Sequence, residues 1–266
     1  MPTASNDGIV LDYQVTGEGP PVLIISGLSA QRPFWGNLRP LLAGFTLVEF
    51  DNRDIGKSSM ASGPYTAADM AGDARAVLDA AGIAKAHVLG HSMGGVIAQE
   101  LAIAHPERID RLVLANTYAR NDLYSQGVLR LLGDLRRQLD DEWVFGAALT
   151  SFAIGEHLLR RVDLYDFVKL ALDAGLVQPK DGFLRQLAVC ETANTADRLH
   201  KVAAPTLVLY SDADRFFSSA MAREIASSIP AGADLDEIVD SGHCPMVEQP
   251  QAFAAVVTRF LKPAPR

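Results

Sequence analysis

The chain has 266 residues, 48% hydrophobic and 21% charged, usage that fits one large folded domain and excludes intrinsic disorder. Lys and Arg number 24 against 32 Asp and Glu, a formal charge of −8, so the surface repels polyanions and argues against nucleic acid or an anionic membrane as partner. Two cysteines, Cys190 and Cys244, are too few for a disulfide scaffold or an all-cysteine zinc site. No apolar run reaches the roughly 18 residues a membrane span needs. Residues 1–8 are polar and lack a basic-then-apolar export signal, so a reducing cytoplasmic setting is expected.

In chain order, residues 9–15 alternate like a strand. Residues 21–26 (PVLIIS) form a continuous apolar run, the pattern of a strand buried on both faces. Residues 45–50, 86–90, 112–115 and 206–210 repeat that pattern, and 236–239 do so more weakly. Helical patterns lie between them. Residues 66–81 carry Met70, Val77 and Leu78 at helical spacing, and Thr66 followed by Asp69 resembles an N-cap box. Residues 94–104 are apolar on most sides, as in a buried helix, whereas 219–229 and 251–260 are amphipathic. This alternation predicts an α/β fold, a mostly parallel twisted sheet with helices on both faces.

Residues 118–204 break the alternation. They read as helices at 126–139, 142–153, 158–174 and 183–192, with 194–200 leading back to the sheet. A structureless loop of that length does not suit a compact domain. The expected organisation is a core of residues 1–117 and 205–266 with a helical lid, 118–204, inserted between two strands. Its place is over the strand ends, where open α/β sheets bind ligands.

The chemistry concentrates at three points. Gly90-His91-Ser92-Met93-Gly94-Gly95 holds a G-x-S-x-G motif between a short apolar strand and a buried helix. A serine on such a turn sits in strained backbone, and a helix N-terminus beneath it favours developing negative charge. A serine nucleophile needs a base. Among six histidines, His243 follows the last strand run, where a loop can bring the base to the nucleophile. The base needs a carboxylate, and Asp212 and Asp214 both follow the strand at 206–210.

These residues carry a resemblance to the α/β-hydrolase superfamily over essentially the whole chain. Residues 90–95 resemble its nucleophile elbow, and the order Ser, Asp, His is the superfamily's order. Tyr210-Ser211-Asp212-Ala213-Asp214 resembles its G-x-x-D acid turn with Ser211 in place of glycine, an alignment that selects Asp214. Gly242-His243 with Glu248, Pro250 and Phe253 resembles the C-terminal G-H-x-x-x-x-E-x-P-x-x-F pattern. Residues 51–58 (DNRDIGKS) resemble the D-x-R-G-x-G-x-S turn, with Asp54 where glycine is usual, and read as structural. The resemblance implies catalytic Ser92, Asp214 and His243, and an oxyanion hole of the Met93 and Leu28 backbone N–H groups. The loop Ser26-Gly27-Leu28-Ser29 replaces the usual His-Gly. Similar loops occur in relatives such as 3-oxoadipate enol-lactonase and aminoacrylate hydrolase, and the chain as a whole also resembles carboxylesterase-like bacterial members.

The substrate pocket is expected to draw on Phe34, Trp35, Trp143 and Met246, against the plainer reading of each as core packing. Arg136-Arg137 and Arg160-Arg161 offer guanidinium groups to a substrate carboxylate, though a solvated helix face is the plainer reading of each pair. Cys244 reads as packing rather than as a nucleophile. Metal-ligand and nucleotide-loop motifs are missing, so no cofactor and no metal is expected. The expected function is a serine hydrolase acting on a small carboxylic ester or lactone through an acyl-enzyme. The alternatives are carbon–carbon hydrolysis of a vinylogous diketone and a slow-turnover ligand sensor on the same fold. The expected partner is a small-molecule substrate, and a homodimer stays open.

Overall fold

The apolar runs become neighbouring strands of one sheet. The structure is a computed structural model describing residues 2–262. Its strands are β1 Thr3–Asn6, β2 Ile9–Thr16, β3 Pro21–Ile25, β4 Thr46–Phe50, β5 Ala86–His91, β6 Ile109–Ala115, β7 Thr206–Ser211 and β8 Ala233–Ile238. Across the sheet they run β1-β2-β4-β3-β5-β6-β7-β8. The β1–β2 and β2–β4 pairs are antiparallel, and every other pair is parallel. Ahead of the insertion come helices α1 Ala67–Ala80 and α2 Met93–Ala104. Between β6 and β7 lie α3 Leu123–Gln138, α4 Glu142–Ala153, α5 Glu156–Leu159, α6 Leu164–Asp173 and α7 Lys180–Thr192. After β7 come α8 Ser219–Ser228, α9 Pro245–Glu248 and α10 Pro250–Leu261.

The inner parallel strands β3, β5, β6 and β7 are buried on both faces over most of their length, whereas the edge strand β8 exposes Asp234 and Glu237. Leu23, Ile25, Val88, Leu112, Leu114 and Val208 pack with α1, α2 and α8 on one side. Their alternating neighbours Val22, Ile24, Leu89, Val113, Leu207 and Leu209 pack with Phe253 and Val257 of α10, and with Trp35 and Leu38, on the other. The Thr66–Asp69 capping box forms as expected and starts α1.

Local features that differ from the sequence reading include these three. The N-terminal residues add a strand, β1, which carries too few apolar residues to register as one; the Asn6 amide donates to Asp73 Oδ1 of α1 at 2.9 Å. The helix expected over 158–174 is two, α5 and α6. Asp163 restarts the second by accepting from the Tyr165 and Asp166 N–H groups at 2.8 and 3.3 Å. Helix α3 begins three residues early because Asp122 and Ser125 cap it reciprocally.

Candidate active site

Ser92 is the residue between β5 and α2, with φ 57° and ψ −123°. That left-handed backbone costs a side-chain-bearing residue about 1–3 kcal/mol and persists only when its surroundings hold it. The holding contacts are specific. The Ser92 N–H donates to Ala115 O at 3.0 Å, and the Thr117 hydroxyl donates to Ser92 O at 2.7 Å. The flanking glycines admit this packing. A Cβ on Gly94 would lie 2.1 Å from Ile25 O, and one on Gly90 would lie 2.3 Å from Gly94 O. Register places the neighbours: Ile25 pairs with Gly90, and His91 with Ala115, so the ends of β3, β5 and β6 meet at one edge.

His243 and Asp214 converge on the same edge. His243 Nδ1 lies 2.9 Å from Asp214 Oδ2, and both side chains are buried. The other carboxylate oxygen, Oδ1, accepts from the Phe216 and Phe217 N–H groups at 2.8 and 3.2 Å. Asn116, at the end of β6, donates its amide N–H to Asp214 Oδ2 at 3.0 Å. Burial alone would push the Asp214 carboxyl up. The His243 ring, the Phe216 N–H and the Asn116 amide together outweigh it and hold the carboxyl below its ordinary value. Asp212 points elsewhere, its Oδ1 accepting from the Ser241 N–H at 3.2 Å. Among the described residues, Ser92 Oγ and His243 Nε2 have no hydrogen-bond partner.

The loop after β3 lies directly against Ser92, since a Cβ on Gly27 would be 2.9 Å from the Ser92 Cβ. Asn52 fixes this loop by donating to Ser26 O at 2.9 Å, and the Trp35 indole N–H donates to Ser26 Oγ at 2.9 Å. Neither the Leu28 N–H nor the Met93 N–H has a partner among the described residues. Two free donors thus flank a serine at a helix N-terminus, an arrangement able to stabilise an oxyanion.

The residues nominated for the pocket divide. Phe34 is half-buried and stacks on His91 at 6.0 Å. Trp35 and Met246 are core: both are 1% exposed and pack in the cluster under α10. Trp143 stacks on Tyr165, 5.9 Å away and 54% exposed, so the outer surface of the inserted helices claims it. The rings that do surround His243 are Phe216 at 4.7 Å, Phe217 at 5.4 Å and His91 at 4.8 Å, with Phe152 of α4 behind Phe216 at 6.2 Å. Phe216 and Phe217 lie two and three positions after Asp214, and that closeness in sequence is the available signal. Cys244 is buried, and burial, with Glu248 and Asp214 nearby, keeps its thiol well above the ordinary range and protonated.

Two supporting residues carry more than the sequence pattern conveyed. His91 donates from Nε2 to His243 O at 2.8 Å across 152 positions of chain. Burial, then the adjacent His243, depress His91 to about 3, so it stays neutral beside the His243 ring. Glu248 accepts from the Gly242, Cys244 and Gly155 N–H groups at 3.0, 3.2 and 2.8 Å. The His243 N–H donates to Ala153 O at 2.9 Å. The histidine loop is therefore fastened to the α4–α5 junction of the insertion. Glu248→Gln breaks part of this carboxylate clasp and is expected to cost about 2 kcal/mol of stability. Turnover should fall about tenfold or more through misplacement of His243. Thermal melts and initial rates check the pair of effects, and unchanged turnover would detach the clasp from the base.

Among the described residues no group of three or more His, Cys, Asp or Glu is placed to hold a metal, and no helix is long and apolar enough to cross a membrane.

The alpha/beta hydrolase fold family model matches residues 20–250. The chain is 29% identical over 268 residues to a protein of Azorhizobium caulinodans named as the carbamate hydrolase RutD, covering 98% of each chain. It superimposes on the enol-lactonase from Burkholderia xenovorans LB400 with a TM-score of 0.88 at 26% identity, covering 98% of this chain and 99% of that one. A thermophilic esterase from Thermogutta terrifontis gives a TM-score of 0.84 at 26% identity, over 97% and 96% of the two chains. With the parallel sheet and the strained serine turn, these matches establish that the chain belongs to the α/β-hydrolase family of enzymes.

Proposed function

We propose that the protein is a serine hydrolase that cleaves a small carboxylic ester or lactone through an acyl-enzyme on Ser92. The observation that carries this reading is the buried His243–Asp214 pair at the strand edge that presents Ser92 in its strained turn. His243 Nδ1–H faces the carboxylate, which leaves Nε2 unprotonated and free to take a proton. Substrate binding closes the Ser92–His243 hydrogen bond, as resting sites commonly tighten in the reactive complex. Ser92 Oγ attacks the carbonyl carbon while its proton passes to His243 Nε2. The Leu28 and Met93 N–H groups receive the oxyanion, each contributing about 3 kcal/mol by the usual worth of such donors. The imidazolium gives its proton to the leaving alkoxide or enolate. Water, deprotonated by His243, then attacks the acyl carbon and frees the acid. Asp214 holds the ring and balances its transient charge.

In this reading α3–α7 act as a lid that shields the site from bulk solvent while the one hydrolytic water reaches the acyl carbon. The deciding experiment is an initial-rate panel on wild type and Ser92→Ala. It contains p-nitrophenyl butyrate, an enol-lactone, an aliphatic lactone, a carbamate and a vinylogous 1,5-diketone. Ser92-dependent turnover fastest on the ester or a lactone supports the proposal. Turnover confined to the diketone assigns carbon–carbon hydrolysis, and turnover confined to the carbamate assigns amide-type cleavage. Lid protection by ligand in hydrogen exchange without turnover assigns a sensor.

A further inference from the structure

The end of β6 carries two consecutive polar side chains that reach opposite partners of the reaction. The Thr117 hydroxyl donates to Ser92 O at 2.7 Å, and Asn116 Nδ2 donates to Asp214 Oδ2 at 3.0 Å. Both residues are buried. At φ 46° Asn116 turns the chain out of the strand, in the left-handed region that asparagine tolerates better than most side chains. Its own N–H donates to Leu209 O of β7 at 2.9 Å, which bolts this turn to the strand that leads to the acid.

The two N–H bonds of the Asn116 amide are both directed. One meets Asp214 Oδ2 and the other meets Ser211 Oγ at 3.0 Å, with Gly242 O at 3.5 Å. Ser211 stands where the acid turn of the resembling family has glycine, so a hydroxyl absent from that pattern aims the amide. Gly242 precedes His243, so one side chain touches the end of β7, the acid and the loop of the base. The oxygen it bonds is the one that faces His243 Nδ1, whereas the Phe216 and Phe217 N–H groups hold the other. Among the described residues only Asn116 and the His243 ring bond Asp214 Oδ2. The Asn116 carbonyl oxygen is buried without a partner among those residues, which costs stability, so folding alone does not select an amide here.

We propose that Asn116, aimed by Ser211, is a positioning residue: it fixes the Asp214 oxygen that faces His243 and, by bonding it, weakens the carboxylate's hold on the imidazolium. An N–H donor favours the charged carboxylate and lowers its basicity, so the base stays in its proton-accepting form to lower pH. The other titratable groups around the pair are His91 from β5 and Cys244 and Glu248 from the histidine loop. His91 is neutral, the Cys244 thiol is protonated, and Glu248 is clasped by backbone N–H groups. In the acid turn Asp212 bonds the Ser241 N–H, and Arg215 turns away to Ser151 O. Helix α4 faces the pair with Phe152 behind Phe216. This inference deepens the Ser92 reading and rests on it for the reaction, though not for the state of the His243–Asp214 pair.

The test follows p-nitrophenyl butyrate hydrolysis against pH in Asn116→Gly and Asn116→Leu. Glycine accepts φ 46° without strain, whereas leucine fills the space and keeps water out, so the two variants share only the lost donor. The acid limb of kcat/KM should move up by about 0.5–1 in pH in both. Their kcat should fall about tenfold, with KM within about threefold of wild type. Ser211→Ala should move the limb the same way by less, and an unmoved limb there overturns the serine's part. The 1H NMR resonance of the proton between His243 Nδ1 and Asp214 should shift in both Asn116 variants, a readout that needs no turnover. Tm should fall further in Asn116→Leu than in Asn116→Gly while the limb moves alike. A limb and a resonance that keep their wild-type positions, or a limb that follows Tm across the two variants, overturns the proposal. A resonance shifted in the Asn116 variants, together with butyrate turnover that survives in Ser92→Ala, upholds Asn116 and overturns the nucleophile instead.

Discussion

Ser92→Ala is expected to lower kcat by roughly 10^5- to 10^6-fold, to what binding and the oxyanion donors supply without a nucleophile. KM should move little, because the hydroxyl contributes to bond making more than to ground-state binding. The same position makes an opposite prediction for stability. Ser92 is held at φ 57° and ψ −123°, which glycine adopts without a Cβ penalty. Ser92→Gly should therefore be as inactive as Ser92→Ala yet more stable than wild type by about 1–2 kcal/mol. Initial rates and thermal melts of the two variants separate the roles. Activity lost with no rise in Tm for the glycine variant would mean that the turn is not strained.

Asp214→Asn is expected to cost about 10^4-fold in kcat, whereas Asp212→Asn should stay within about tenfold of wild type. Asparagine keeps the shape but no longer compensates the imidazolium, and it favours the wrong ring tautomer. The Asp212 carboxylate accepts from the Ser241 N–H, and among the described residues it makes no hydrogen bond to the His243 ring. The reverse ranking would make Asp212 the acid. A pH effect accompanies this. Asp214 titrates below its ordinary value in the native state. The carboxylate thus stabilises the fold above the unfolded-state value of about 3.9, and that contribution is lost as the pH falls through the lower native value. Acid unfolding should be steeper for wild type than for Asp214→Asn when Tm is followed from about pH 5 to about pH 2.

Local signals made much of this molecule legible. Strands buried on both faces read as unbroken apolar runs, as β3 and β7 do, and the glycines around Ser92 mark a turn where Cβ atoms would strike backbone. The acid-turn resemblance selects Asp214 over Asp212, and Asp214 is the carboxylate that lies beside His243. Long-range contacts left no local trace. Nothing near His91 announces that its ring supports residue 243, and nothing near Asn116 announces that it bonds a carboxylate 98 positions away. Arg136 and Arg137 are identical in sequence terms, yet one is buried against Phe145 and the other is exposed, because α7 and residues 177–178 cover only one side of α3. Trp143 shows the converse: a large aromatic in the insertion drew attention, while the smaller Phe216 and Phe217 surround the base. The break between α5 and α6 escaped the periodicity because apolar residues continue on both sides of the Asp163 cap.

The central claim is that Ser92 is a covalent nucleophile activated by His243. Its most direct test is reaction with diethyl p-nitrophenyl phosphate followed by intact mass and peptide mapping. The account predicts one diethylphosphoryl adduct per chain, on the peptide containing Ser92. The adduct should be absent in Ser92→Ala and much slower to form in His243→Ala. A folded wild-type protein that stays unlabelled, or that carries the adduct on another residue, would contradict it.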